Sequence, residues 1–263
     1  MSNGGARPLL LVLGTGTEVG KTWVGVSIVE RCRAWGWHVQ ARKPAQSFDP
    51  TSGDPTDAEL LAGATGEDPA TVCTLSYPIP MAPPMAAEAL GLAPVTLSDL
   101  VGLVTWNAPT STDSSGSPDS TGSPDSTGSP DSTGSPDSTG SPDSPDSTGS
   151  SGAAGSSGSV GLRLVEAAGG VRSPQAVDGD CVDLARALHP DAMLLVAHAG
   201  LGTISAVRHG VRALAGFEPV VLLNFYDRAD ELHRRNARWL ADRDGFRIAT
   251  SVEEALSLLA LGT

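Results

Sequence analysis

Cysteine is scarce: Cys32, Cys73 and Cys181 are the only three, odd in number and far apart. The five histidines are equally scattered, and neither a C-x-x-C nor an H-x-x-x-H spacing occurs. A disulfide framework and a zinc site are therefore not expected. Long hydrophobic runs are missing too. No twenty-residue apolar stretch and no leader-type pattern is present, so a cytoplasmic protein with reduced thiols and no membrane partner is expected. Basic residues are outnumbered, 17 Lys and Arg against 30 Asp and Glu, giving a formal net charge of -13. No basic stripe appears, which argues against a nucleic-acid partner.

One segment lacks nearly everything a core needs. From Asn107 to Ser159 the chain is almost entirely Ser, Pro, Asp, Thr and Gly, with four clean copies of "SPDSTG" over Ser117–Gly140. Such a composition has too little apolar surface to offset backbone ordering, so 107–159 is expected to be a disordered insert projecting into solvent. Its seven Asp and absent Lys and Arg account for about half of the net charge. Residues 1–106 and 160–263 remain, roughly 210 residues, enough for one well-buried domain.

Outside the insert the rhythm is strand then helix. "PLLLVL" (Pro8–Leu13) is short, apolar and stopped by Gly. Lys21 to about Ala34 follows as a helix, with Val24, Ile28 and Val29 on one face. "WHVQARKP" is a strand ended by Pro44, "DPTDAELLAGATG" a helix closed by Gly66, and "VTLSDLVGLVTW" a helix before the insert. "YPIPMAPPM" is too proline-rich for either element and is expected to be a stiff loop. After the insert come "LRLVEAAGG", "DCVDLARAL", "AMLLVAH", "GTISAVRHGVRALAG", "PVVLLN", "ADELHRRNARWLAD", "FRIAT" and "SVEEALSLLAL", alternating strand and helix. This predicts an α/β domain with a mostly parallel sheet covered by helices on both faces. Ligands in such sheets sit at the carboxyl ends of the strands.

The first strand opens into Gly14-Thr-Gly-Thr-Glu-Val-Gly-Lys-Thr22. A glycine-rich turn between strand and helix aims backbone N–H groups at a phosphate, and the helix adds its positive end. Lys21 supplies a charge for β- and γ-phosphates, and the Thr22 hydroxyl can ligate Mg²⁺. The usual spacing is G-x-x-x-x-G-K-[ST]; here Gly14 leaves one residue more. A nucleoside triphosphate site of the P-loop NTPase type is expected.

That longer spacing resembles the loop of the ATP-dependent dethiobiotin synthetase family, typically G-T-x-T-x-V-G-K-T. Further stretches are similar in order along the chain: "RKP" (Arg42–Pro44), "DPTDAELL", the proline-rich "MAPPMAA", "LVEAAGG" (Leu164–Gly170), "GLGTISAVRHG" and "LLN". The resemblance implies ring closure of 7,8-diaminononanoate with CO₂ and ATP, through a carbamate and a carbamic–phosphoric anhydride. It implies Gly16, Thr17, Glu18, Val19, Gly20, Lys21 and Thr22 around the nucleotide, with Ala167, Ala168 and Gly169 beside it. Lys43 and Lys21 would be the catalytic cations. Thr22, Asp57 and Glu166 would hold Mg²⁺. Thr17, Ser47, Pro83 and Met85 would meet the diamine, and Asn224 the base. A homodimer with the diamine near the subunit interface is also implied. Two positions depart from the family pattern. Ala167 stands for a usual Gly, which is tolerable only with negative φ. Ser205 stands near a usual Asn.

Other readings stay open at this point. One is a different P-loop ligase or amidase. Another is a nucleotide-switch ATPase of the partition type, which would carry a second lysine early in the loop, where this chain has Gly16. A third is a catalytically silent binding module. At single positions, Asp57 with Thr56 could simply cap its helix and Lys43 could be a solvated strand end.

Overall fold

Strand β1 (Leu9–Gly14) forms because six consecutive positions can all be buried, and none of its side chains is more than slightly exposed. A strand buried on both faces belongs at the centre of a parallel sheet. The computed structural model describes residues 7–106 and 161–261 and puts β1 there. The segment expected to be a disordered insert, 107–159, lies outside the described residues.

After β1 come α1 (Lys21–Ala34), β2 (His38–Arg42), β3 (Ala45–Ser47), α2 (Asp57–Thr65), α3 (Pro69–Val72), β4 (Leu75–Tyr77), α4 (Pro83–Ala89) and α5 (Leu97–Leu103). Then follow β5 (Gly161–Glu166), β6 (Pro174–Ala176), β7 (Gly179–Asp180), α6 (Cys181–Leu188), β8 (Ala192–His198), α7 (Thr203–Ala213), β9 (Val220–Asn224), α8 (Glu231–Asp242), β10 (Arg247–Ala249) and α9 (Val252–Leu259). Six strands make one parallel sheet in the order β10-β9-β8-β1-β5-β2. Short β3–β4 and β6–β7 pairs lie apart from it.

The period-2 alternation of β1 divides the core. Leu10 and Val12 join Val24, Ile28 and Val29 of α1, Leu61 of α2 and Leu256 of α9 on one face. Leu9, Leu11 and Leu13 join Leu100 of α5, Leu184 of α6, Val207 of α7 and Leu240 of α8 on the other. Each fully buried aliphatic side chain contributes about 1.5–3 kcal/mol, so these layers dominate the stability of the sheet.

Because all six strands run the same way, their carboxyl ends share one edge. The chain leaves β1 and crosses to β2, leaving a gap that β5 later fills; β8 pairs on the opposite side of β1. The crevice at this reversal is where such sheets take ligands. It receives Gly14 from β1, Glu166 from β5, Lys43 just past β2 and Asn224 from β9.

The expected elements are present, with one correction and several additions. Of "YPIPMAPPM", Tyr77 ends β4 and residues 78–82 are loop, while Pro83 and Pro84 open helix α4. Prolines fit there because the first helical turn has no intrahelical acceptor for their missing N–H groups. Helix α3 and strands β3, β4, β6 and β7 are two to four residues long, too short to set a period in the sequence. Among the described residues no helix is long and apolar enough to cross a membrane.

Candidate active site

The loop after β1 is shaped by two glycines. A Cβ at Gly14 would lie 2.9 Å from the Gly16 carbonyl, Lys21 Cδ and Val19 Cγ2, so any side chain there would push the loop off its lysine. Gly20 has φ 84° and its Cβ would fall 2.2 Å from Asn224 Nδ2. Glu18 also has positive φ, 57°, an unfavourable setting for an L-residue that the loop imposes. The α1 N-terminus follows directly. Its N-cap, Gly20, offers no side-chain hydrogen bond and no acidic residue occupies its first turn. Helices α2, α5, α6, α8 and α9 are all capped by Thr, Asp or Ser side chains. The free N–H groups and positive end of α1 thus remain available to an anion.

Lys21 is buried, and its Nζ donates to the Gly16 carbonyl at 3.0 Å. Burial lowers its pKa; Glu166 opposes this and Lys43 reinforces it. Lys43 is 2% exposed. Its Nζ lies 2.6 Å from Glu166 Oε1 and 2.8 Å from Asp57 Oδ2. Burial alone would depress the Lys43 pKa, but the two carboxylates outweigh it and hold the ammonium above its ordinary range. For Asp57 burial pushes upward, and Lys43 overcomes it, so the carboxyl sits below its usual range. The Thr22 hydroxyl joins the group, 2.7 Å from Asp57 Oδ1 and 2.9 Å from Glu166 Oε1. Lys43, Thr22, Asp57 and Glu166, from four separate elements, form one hydrogen-bonded cluster beside the phosphate loop.

Asp57 does not cap its helix. Thr56 does, accepting from the Glu59 N–H while the Glu59 carboxylate accepts from the Thr56 N–H. Glu166 is fully buried, and among the described residues its Oε2 has no hydrogen-bond partner. Gly25 of α1 lies beside this oxygen; a Cβ there would sit 3.6 Å from it, in ordinary contact. An orphaned carboxylate oxygen in a dry site is expensive, and a cation is one group that would satisfy it. Two carboxylates and a hydroxyl are hard oxygen donors that suit Mg²⁺ when phosphate oxygens and water complete the octahedron. Among the described residues no group of three His, Cys, Asp or Glu gathers to hold a metal, at this cluster or elsewhere.

A cavity of about 710 Å³ opens over this cluster. Thr17, Glu18, Gly20, Lys21 and Thr22 line it, with Lys43, Asp57, Ala168 and Gly169 opposite. Ser47 and Pro83 line it too, and the buried Ser47 Oγ has no partner among the described residues. Met85 is not in this wall; it is exposed on α4. Gly16 accepts the Lys21 bond and borders a second opening with Thr17. Val19 is buried beneath the loop, and its carbonyl accepts from Asn224 Nδ2 at 3.0 Å, tying β9 to the loop. Ala167 is buried and is absent from the described non-glycine residues with positive φ, so its methyl meets the condition set above.

A further cavity of about 700 Å³ adjoins along α1. Trp23 lines both cavities, and Phe225, Tyr226 and Ser251 border this one. Trp23 and Phe225 are 61% and 56% exposed, open aromatic faces suited to a flat ring. Asn224 also lines it. Sequence reasoning missed Trp23 and Phe225. A tryptophan directly after a phosphate-loop threonine was a usable signal. Phe225 gave none, since its place beside Trp23 depends on residues distant in sequence.

No protein-family model matches the chain. Curated relatives do. The ATP-dependent dethiobiotin synthetase BioD of Caulobacter vibrioides strain NA1000 is 33% identical over 199 residues, covering 74% of this chain and 68% of the relative. The protein of that name from Rhodococcus jostii is 31% identical over 210 residues, 79% of this chain and 68% of its own. That of Haloferax mediterranei is 27% identical over 242 residues, 91% and 81%. Similarity of this extent, joined to the phosphate loop and the strand-end cluster, means that the chain belongs to the ATP-dependent dethiobiotin synthetase family.

Proposed function

We propose that the protein closes the ureido ring of dethiobiotin from 7,8-diaminononanoate, CO₂ and ATP, a step of biotin biosynthesis. One amine adds to CO₂, forming an N–C bond and releasing a proton. The carbamate oxygen attacks the γ-phosphorus and ADP leaves. The second amine attacks the carbamoyl carbon, phosphate leaves, and the ring closes with loss of another proton. Transfer of this kind needs charge neutralisation and alignment more than covalent help.

The observation that carries the reading is the hydrogen-bonded cluster of Lys43, Thr22, Asp57 and Glu166 at the mouth of the phosphate loop. Lys21 and the uncapped N-terminus of α1 bind the β- and γ-phosphates. Thr22, Asp57 and Glu166 would hold Mg²⁺, which when bound neutralises phosphate oxygens. Lys43 stabilises the carbamate and the phosphoryl oxygens; its raised pKa keeps it charged throughout the neutral range. Ser47, which lines the cavity and whose buried Oγ has no partner among the described residues, takes an amine of the substrate. The base lies in the second cavity against Trp23 and Phe225, near Asn224. A homodimer, which the resemblance implies, belongs to the same proposal.

The test is phosphate release by the purified protein supplied with ATP, Mg²⁺, bicarbonate and diaminononanoate. Release that depends on the diamine, with dethiobiotin as product, is expected. Equal release without it would favour a nucleotide switch.

A further inference from the structure

We propose that Gln46 is a positioning residue that fixes Asp57 at the metal-binding edge of the site. The inference rests on the reading above, in which Asp57 helps to hold Mg²⁺. Gln46 is a buried amide on β3, 4% exposed, with both ends engaged. Its Nε2 donates to Ser76 Oγ at 2.9 Å, across the β3–β4 register that sets Gln46 opposite Ser76. Its Oε1 accepts from the Ala58 N–H at 3.0 Å. Ala58 is the residue after Asp57, in the first turn of α2.

The first N–H groups of a helix need outside partners. In α2 Thr56 serves the Glu59 N–H and Gln46 serves that of Ala58. The Asp57 carboxylate is thereby free of its own helix and turns to Thr22 and Lys43. The Gln46 bond also ties the start of α2 to β3, the strand that begins two residues after Lys43 and ends at Ser47. Consecutive Cα atoms are about 3.8 Å apart on a rigid peptide unit. A shift of the Ala58 N–H therefore moves the Asp57 backbone with it. Lys43 and Ser47 belong to the segment that Gln46 anchors, so one amide sets the spacing of a cation, a hydroxyl and a carboxylate.

The experiment follows ATP binding to the whole protein as Mg²⁺ is titrated, and again in EDTA, with thermal melting beside it. Gln46→Met keeps the bulk and removes the acceptor. Its Mg²⁺ midpoint is expected to rise about tenfold, the low end for a group supporting a metal ligand, while affinity in EDTA stays near wild type. Gln46→Glu keeps the acceptor and is expected to restore most of the midpoint. If Gln46→Met does not fold, Gln46→Asn replaces it: the amide stays but falls one methylene short of Ala58, and the same rise is expected. Asp57→Asn separates the two levels. A raised midpoint in Asp57→Asn with none in the Gln46 variants overturns the positioning role alone. An unmoved midpoint in Asp57→Asn removes Asp57 from the metal site and the proposal with it. Equal losses in Mg²⁺ and EDTA for the Gln46 variants mean general damage and also overturn it.

Discussion

Replacing Lys43 by Met tests the cluster at its centre. The substitution keeps the stem of a side chain that is 2% exposed and removes only the ammonium. What remains is Glu166, fully buried, facing Asp57 across the Thr22 hydroxyl with no cation between them. Breaking a buried ion pair by deleting one partner costs about 3–5 kcal/mol. The Asp57 arm must be discounted, because that side chain is 44% exposed and screened by water. The low end, about 3 kcal/mol, is therefore the expected loss in the ligand-free protein. For a domain of this size that is a fall in Tm of roughly 6–12 °C. Saturating Mg²⁺ and ATP should recover most of it, since the metal supplies charge where the ammonium was. Turnover should not recover. Loss of one contact to developing charge costs about a hundredfold or more in kcat. Differential scanning fluorimetry with and without Mg²⁺–ATP, alongside the phosphate assay, reads both. Turnover within about threefold of wild type would exclude Lys43 from the chemistry, since that is far less than the loss of such a contact. A Tm deficit unchanged by Mg²⁺–ATP would refute the electrostatic account of the cluster.

Three further outcomes are expected. The stabilising part of the Asp57–Lys43 pair depends on pH in a stated direction. Asp57 is depressed in the folded state, so its contribution is present above the unfolded carboxyl value of about 3.9 and is lost as pH falls through the lower folded value. Lys43 is raised, so its share is full below about 10.4 and is lost only at more alkaline pH. The Tm difference between wild type and Lys43→Met should therefore be flat across neutral pH and shrink below about pH 4; a maximum near pH 7 would contradict this. Gly20→Ala should weaken ATP binding severely, because the new methyl meets Asn224 Nδ2 in a left-handed backbone; calorimetric titration giving a wild-type Kd would show that the loop relaxes freely. Exchanging residues 110–157 for a short Gly-Ser linker should leave Tm and turnover nearly unchanged, and a large fall in either would mean that this segment packs or acts.

The site was legible to differing degrees. Lys21 and Thr22 stand in a contiguous motif whose spacing encodes its geometry, so their neighbourhood was readable directly. Lys43 and Glu166 were readable as ends of apolar strands, but their 2.6 Å contact joins residues 123 apart in sequence and exists only because β2 pairs with β5. Asp57 was ambiguous between ligand and helix cap. The competing role belongs to Thr56, which the pattern T-D-A-E already allowed, as a capping box with Glu59. Gln46 looked like strand filler, since nothing local shows that its amide meets the start of a helix twelve residues on.

By itself, then, the order of residues determined the alternation of strands and helices and the phosphate loop, and its composition led to the expectation that one repetitive segment stays out of the core. These follow from short-range rules: periodicity, glycine stereochemistry and composition. Only the tertiary structure decided that the Lys43 ammonium, two carboxylates and a hydroxyl meet in one cluster on the cavity that Lys21 also lines, that Glu166 keeps an oxygen without a partner among the described residues, and that open aromatic faces flank the crevice. Parallel pairing brings strand ends together from across the whole chain, and the energies of charges in a dry crevice depend on distances that no local pattern specifies.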